Sequence, residues 1–132
     1  MIKSLSIILP LYNEEIRLKQ TFKKIIEFIK RNKIKFKEFI FVDDGSNDNS
    51  LKLIKEFIGK NRSFAKVNFK LIKLSKNIGK GGALKKGVRI SSCDWILTSD
   101  IDFSVSLFEL DNWLKKKYIE RSIKVYFGSR SH

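Results

Sequence analysis

Apolar and polar positions fall into blocks along this chain, and the period changes from block to block. Ser4 to Leu11, SLSIILPL, is an almost unbroken apolar run, the pattern of a buried strand. From Asn13 the spacing becomes helical. Ile16, Phe22, Ile25, Ile26 and Ile29 recur on one side, and Lys19, Lys23, Lys24 and Lys30 on the other. Asn13 is placed to cap this helix, and Glu14 and Glu15 put negative charge at the positive end of its dipole. Glu38 to Val42 predicts a second strand, the polar stretch DDGSNDNS a loop, and Ser50 to Ile58 a helix. That helix carries Leu51, Ile54 and Ile58 at helical spacing, with Gly59 near its stop. Val67 to Leu74 alternates more strictly and predicts a half-exposed third strand. The loop SKNIGKGG leads into a short helix with Leu84, Gly87, Val88 and Ser91 on one face. WILTS, from Trp95, reads as a fourth, buried strand. Ser106 and Glu109 match an S-x-x-E capping box opening a helix to about Lys117, and Lys124 to Gly128 predicts a fifth strand.

Strands alternating with helices over crossovers of this length imply a mostly parallel sheet covered by helices on both faces, an α/β fold. No internal repeat and no Pro/Gly/Ser-rich linker interrupts the pattern, so residues 1–132 are expected to form a single domain. Such sheets bind ligands beyond the carboxyl ends of their strands. Asn13, Asp43 with Asp44, Lys80, and Asp100 with Asp102 all follow a predicted strand directly. Four polar loops are therefore expected to converge at one edge.

Charge sharpens the picture. The chain carries 28 Lys and Arg against 14 Asp and Glu, a formal net charge of +14. This excess is open to three uses: solvated helix faces, attraction to anionic lipid headgroups, or binding of phosphate-bearing ligands. Nucleic acid is not an expected partner, because the lysines lie within amphipathic helical patterns and no RNP-type motif appears. Cys93 is alone, which excludes an internal disulfide and favours a reducing compartment. One Cys and one His cannot build a zinc site. No apolar run reaches the roughly 20 residues of a membrane span, and no signal-peptide layout precedes the first strand. The expected location is cytoplasmic, with peripheral contact to the cytoplasmic face of a membrane.

In an acid-poor chain, Asp100-Ile101-Asp102 stands out. Carboxylates at i and i+2 on an extended segment leaving a strand point to one side, within reach of a shared cation. Hard oxygen ligands suit Mg²⁺ or Mn²⁺ bridging to a phosphate, although a surface turn with an Asx cap gives the same residues. In VDDGSNDNS, Gly45 permits a tight turn, and Asp44 is placed to accept a hydrogen bond from a nucleobase imide. Asn47, Asp48 and Asn49 read as turn and cap residues. NIGKGGAL opens a helix with glycines, so its amides can cradle a phosphate with Lys80 as countercharge. It has neither Walker nor dinucleotide-fingerprint spacing. In FGSRSH, Arg130 can grip phosphate oxygens bidentately, or belong to a solvated tail.

Taken in order, SIILPLYNEE, VDDGSNDNS, NIGKGGALKKGV, WILTSDIDFS and FGSRSH resemble the family-2 glycosyltransferases of GT-A fold, closest to the polyprenyl-phosphate hexosyltransferase branch. The resemblance implies a Rossmann-like nucleotide-diphospho-sugar transferase fold. It implies that Pro10, Tyr12, Glu14 and Asp44, with Asp43, line a base and ribose pocket, and that Lys80, Gly81 and Arg130 lie near the phosphates. Asp100 and Asp102 would hold a divalent metal, Asp102 the more direct ligand. The implied reaction is inverting transfer of a hexose, glucose from UDP-glucose, to a polyprenyl or dolichyl phosphate or a glycan acceptor. Family members continue well past the G-S-R segment, so this chain is expected to be the donor-binding half, truncated at the acceptor side. The alternatives are a nucleotide-sugar-binding fragment without catalysis and a haloacid-dehalogenase-like phosphohydrolase, whose D-x-D motif normally follows the first strand.

Overall fold

The structure, a computed structural model, describes residues 2–116, in which four strands alternate with four helices. In chain order these are β1 (Ser4–Leu11), α1 (Glu15–Arg31), β2 (Phe36–Asp43), α2 (Ser50–Lys60), β3 (Val67–Lys73), α3 (Lys80–Ile90), β4 (Trp95–Thr98) and α4 (Glu109–Lys115). The strands form one parallel sheet in the order β3-β2-β1-β4. The chain winds outward from β1 to β3, then α3 carries it back past β1 to β4. Strand order therefore reverses between β1 and β4. The predicted fifth strand and Arg130 lie outside the described residues.

The period-2 alternation of the central strands splits the core into two layers. Leu5, Ile7, Leu9 and Leu11 of β1 join Phe39 and Phe41 of β2 under α1, α2 and α4. Ile8, Ile40 and Val42 face the other way, against Ala83 and Leu84 of α3. Helices thus cover both faces. The larger layer is rich in phenylalanine: Phe22 stacks on Phe57 at 4.2 Å between centroids, and Phe57 meets Phe41 and Phe69 edge-on. On the smaller layer α3 comes very close, since a Cβ on Gly87 would lie 2.5 Å from Ile8 Cγ2. Only glycine allows this approach.

Several local expectations change. The buried stripe of α1 is Leu18, Thr21, Ile25 and Phe28, with Phe22, Ile26 and Ile29 at its flanks. Ile16 is 91% exposed, because it stands about 200° around the helix from Leu18. On α2 the buried positions are Ser50, Ile54 and Phe57, and the helix runs through Gly59 to Lys60, where the Asn61 side chain donates to the Phe57 carbonyl. The inner face of α3 is Ala83 and Gly87, whereas Val88 is exposed. β3 is half-exposed as expected. β4 is not buried: it is short, and Ile96 and Thr98 face solvent. Ser106 makes no capping box. Its hydroxyl accepts from the Phe108 amide two residues on, and α4 begins at Glu109.

One buried charge helps to fix the path into β4. Glu38 is fully buried on the α3 side, where its carboxylate accepts from the Ser6 hydroxyl (2.6 Å) and from both the amide and hydroxyl of Ser92. Lys70 pairs with it at 2.6 Å and also donates to the Ile90 carbonyl at the end of α3. Burial would raise the Glu38 pKa, but the Lys70 ammonium and the Ser6 and Ser92 hydrogen bonds outweigh it and hold the carboxyl below its ordinary value.

Candidate functional site

A cleft of about 410 Å³ opens beyond the carboxyl ends of β1 and β4, where strand order reverses. This is where ligands bind in open α/β sheets. Of the residues singled out from the sequence, Pro10, Tyr12, Glu14, Asp44, Lys80, Asp100 and Asp102 line it. Asp43 does not. Its side chain is buried below the loop and accepts from the Ser46 amide. Gly81 lies in the first turn of α3 and is not part of the lining.

Two loops form one wall by locking together. The Asn13 side-chain oxygen accepts from the amides of Asn47 (2.8 Å) and Asp48 (3.3 Å), while the Asn13 amide donates to the Ser46 hydroxyl. Asn13 has φ 51°, a left-handed conformation that asparagine tolerates. It therefore does not cap α1. The first amides of that helix are taken from across the cleft wall: Glu14 N–H by Ser50 Oγ at 2.9 Å and Glu15 N–H by Asp48 Oδ2 at 3.2 Å. Asp48 also accepts from the Ser50 amide. Partial burial opposes its charge, yet the bonds from Ser50 and Glu15 leave its pKa lowered. Tyr12 is half out of the wall, its hydroxyl accepting from Asn47 Nδ2.

Asp44 fixes the opposite loop. Its two carboxylate oxygens accept from the amides of Ile78 (2.8 Å) and Gly79 (3.0 Å), just ahead of α3. Gly45 completes the junction, for at φ +78° its missing Cβ leaves room for Asn77 N, which would otherwise lie 2.7 Å away.

The acid pair lies in a turn, not on an extended segment. The Phe103 amide donates to the Asp100 carbonyl, and Phe103 takes φ 48° with its ring buried. Ile101 and Phe103 point into the core, so Asp100 and Asp102 face the cleft. α1 clamps this turn through two side chains one helical turn apart. Thr21 Oγ1 donates to the Ile101 carbonyl at 2.5 Å, and Lys24 Nζ to the Asp102 carbonyl at 3.1 Å. Asp100 is ion-paired with Lys80, the first residue of α3, and Asp102 accepts from the Ser104 amide. One of the two like charges is thus matched by a lysine, and the other is not.

Sequence reasoning missed Arg17 in the lining, and Thr21 and Lys24 behind it; Asn77 and Gly79 entered only as part of the NIGKGGAL loop. Arg17 lies 3.6 Å from Glu14 at i,i+3 spacing, which was available as a signal. The partners of Thr21 and Lys24 are about 80 residues away, at |i−j| of 80 and 78, and leave no local trace.

For a hard divalent cation the donor set fits. Asp100 and Asp102 each keep one carboxylate oxygen with no hydrogen bond among the described residues, and both face an open cleft. No group of three or more His, Cys, Asp and Glu gathers among the described residues. The remaining positions around such an ion would fall to water and ligand oxygens, as Mg²⁺ and Mn²⁺ accept readily.

The sequence profile of glycosyl transferase family 2 matches residues 6–120. This chain belongs to that family. It is 36% identical over 134 residues to the dolichyl-phosphate beta-glucosyltransferase of Dictyostelium discoideum, covering 97% of this chain and 40% of that enzyme. The human dolichyl-phosphate beta-glucosyltransferase is likewise 36% identical, over 139 residues, with 98% and 42% covered. The chain therefore spans about two fifths of the length of these relatives. Among solved structures, the mannosyltransferase PcManGT of Pyrobaculum calidifontis, in complex with GDP-Man and Mn²⁺, superposes with a TM-score of 0.70 at 20% identity, covering 84% of this chain and 31% of that one. S. aureus TarS 1-349, in complex with UDP-GlcNAc, gives 0.67 at 24% identity, with 85% and 30% covered. The sheet and its helices are thus a Rossmann-like GT-A fold. Family membership also removes the phosphohydrolase alternative, and the acid pair follows β4, not β1.

Proposed function

We propose that this chain is the donor-binding part of an inverting hexosyltransferase that takes glucose from UDP-glucose and delivers it to a polyprenyl or dolichyl phosphate. One observation carries the reading: two carboxylates, Asp100 and Asp102, and two cations, Lys80 and Arg17, share one cleft at the switch point of the sheet. The dolichyl-phosphate beta-glucosyltransferases among its relatives supply the sugar and acceptor.

In this reading Pro10, Tyr12, Glu14 and Asp44 receive the base and ribose, with Asp43 supporting the turn from below. Each Asp44 oxygen already holds a loop amide but keeps a second lone pair for a base N–H. Lys80 and Arg17, with Arg130 and the free amides at the start of α3 around Gly81, attract the diphosphate. Asp102 and Asp100 would hold Mg²⁺ or Mn²⁺, which when bound neutralises charge on the departing nucleoside diphosphate. The cleft residues orient the donor and exclude water from one of its sides. A lipid-phosphate acceptor brings an oxygen that is already anionic, so no strong general base is required.

The basic surface serves peripheral docking on an anionic, cytoplasmic membrane face. No helix among the described residues is long and apolar enough to cross a membrane. Sedimentation with anionic vesicles should carry the protein down, and equal recovery with neutral vesicles would refute the docking. A second reading, donor binding without transfer, draws on the partial coverage of the relatives. Calorimetry with UDP-glucose and with GDP-mannose, followed by an assay for glucosyl transfer to dolichyl phosphate, separates the two. Preference for UDP-glucose with transfer supports the enzyme reading, and binding of neither donor rejects both.

A further inference from the structure

The Lys80 ammonium already occupies one carboxylate oxygen of Asp100 and leaves the other open. Lys80 is anchored at its base by the Asp44 grip on Gly79 but is exposed along its stem, so its ammonium can leave Asp100 without disturbing the fold. Asp102 has no such partner. Its side-chain oxygen accepts only the neutral Ser104 amide among the described residues. The two acids of the pair are therefore unequal before anything binds.

We infer that Lys80 is an internal counter-ion that weakens the hold of Asp100 on metal until a diphosphate draws its ammonium away. The inference rests on the proposed donor-binding role of the cleft. A metal arriving alone must bind Asp100 beside an ammonium, and the repulsion between the two cations weakens its binding. A nucleoside diphosphate offers that ammonium a richer set of anionic oxygens, which frees Asp100. Lys80 then neutralises phosphate while both acids face the cation. Metal and nucleotide each prepare the cleft for the other, and linkage makes the effect reciprocal. The site is thereby protected from loading with metal in the absence of donor.

The test is Mn²⁺ binding followed by the electron paramagnetic resonance of free Mn²⁺, with and without UDP, on wild type, Lys80→Met and Lys80→Arg. For Lys80→Met, Mn²⁺ alone should bind about fivefold to tenfold tighter than to wild type, and the enhancement by UDP should shrink by a similar factor. Lys80→Arg keeps the charge and should behave as wild type. Thermal unfolding identifies a variant that has lost its fold; if Lys80→Met has, Lys80→Gln takes its place, and Mn²⁺ alone should again bind about fivefold to tenfold tighter than to wild type. If Mn²⁺ alone binds Lys80→Met no better than wild type while UDP still promotes Mn²⁺ binding to wild type, the counter-ion role is wrong and the donor site stands. Wild-type protein that takes up no Mn²⁺ with or without UDP overturns the donor-site reading itself, and the counter-ion role with it.

Discussion

Replacing Thr21 by valine removes one hydroxyl from the back of the acid turn and little else. Valine keeps the β-branched shape, so packing in α1 is retained. Thr21 and Ile101 are both essentially buried, and the hydroxyl meets the Ile101 carbonyl at 2.5 Å. Its second contact, to the Arg17 carbonyl at 3.3 Å, is expendable because that carbonyl already lies within the helical ladder. The loss is thus one buried hydrogen bond and one carbonyl left unsatisfied, about 1–3 kcal/mol. For a chain of this size that corresponds to a fall in melting temperature of roughly 4–11 °C. Urea denaturation followed by tryptophan fluorescence measures it, with Thr21→Ser as the control that retains the donor. Mn²⁺-dependent donor binding should weaken beyond the effect of the serine variant, since the turn that aims Asp100 and Asp102 is loosened. Equal stability of the valine and serine variants would refute the idea that α1 clamps this turn.

Two further predictions test the supports of the cleft. Gly45→Ala places a Cβ 2.7 Å from Asn77 N at φ +78°, so it should destabilise by more than about 1 kcal/mol and weaken donor binding by displacing the β3–α3 loop; unchanged denaturation and binding would contradict this. Glu38 has a lowered folded pKa, so the unfolded chain binds the extra proton, and its contribution to stability is complete above the ordinary value of 4.5 and lost as pH falls through the folded value. Denaturation curves from pH 7 to pH 3 should show Glu38→Gln less stable by roughly 2–4 kcal/mol at neutral pH, with the gap narrowing in acid; a constant gap would count against the assignment.

Much of this architecture was legible because it rests on local periodicity. The apolar runs at Ser4 to Leu11 and Glu38 to Val42 announce the two central strands, and polar residues after them reach one cleft. The remainder depends on partners distant in sequence. WILTS looks buried until β4 is found with Ile96 facing solvent, whereas the exposure of Ile16 was readable from its two-residue offset to Leu18. Asn13 has the composition of a helix cap, but the β2–α2 loop supplies Ser50 and Asp48 instead and turns Asn13 to its own use. The pairing of Lys80 with Asp100 depends on how closely α3 returns toward β4. Neither motif by itself names the other as its partner.

The most direct test is calorimetric titration of UDP-glucose into wild type and Asp102→Asn, each with Mn²⁺ and with chelator. Wild type should bind the donor about tenfold or more tightly with Mn²⁺ than without, and Asp102→Asn should lose that increment while unfolding at an unchanged temperature. A metal-dependent increment of the same size in both proteins would contradict the account.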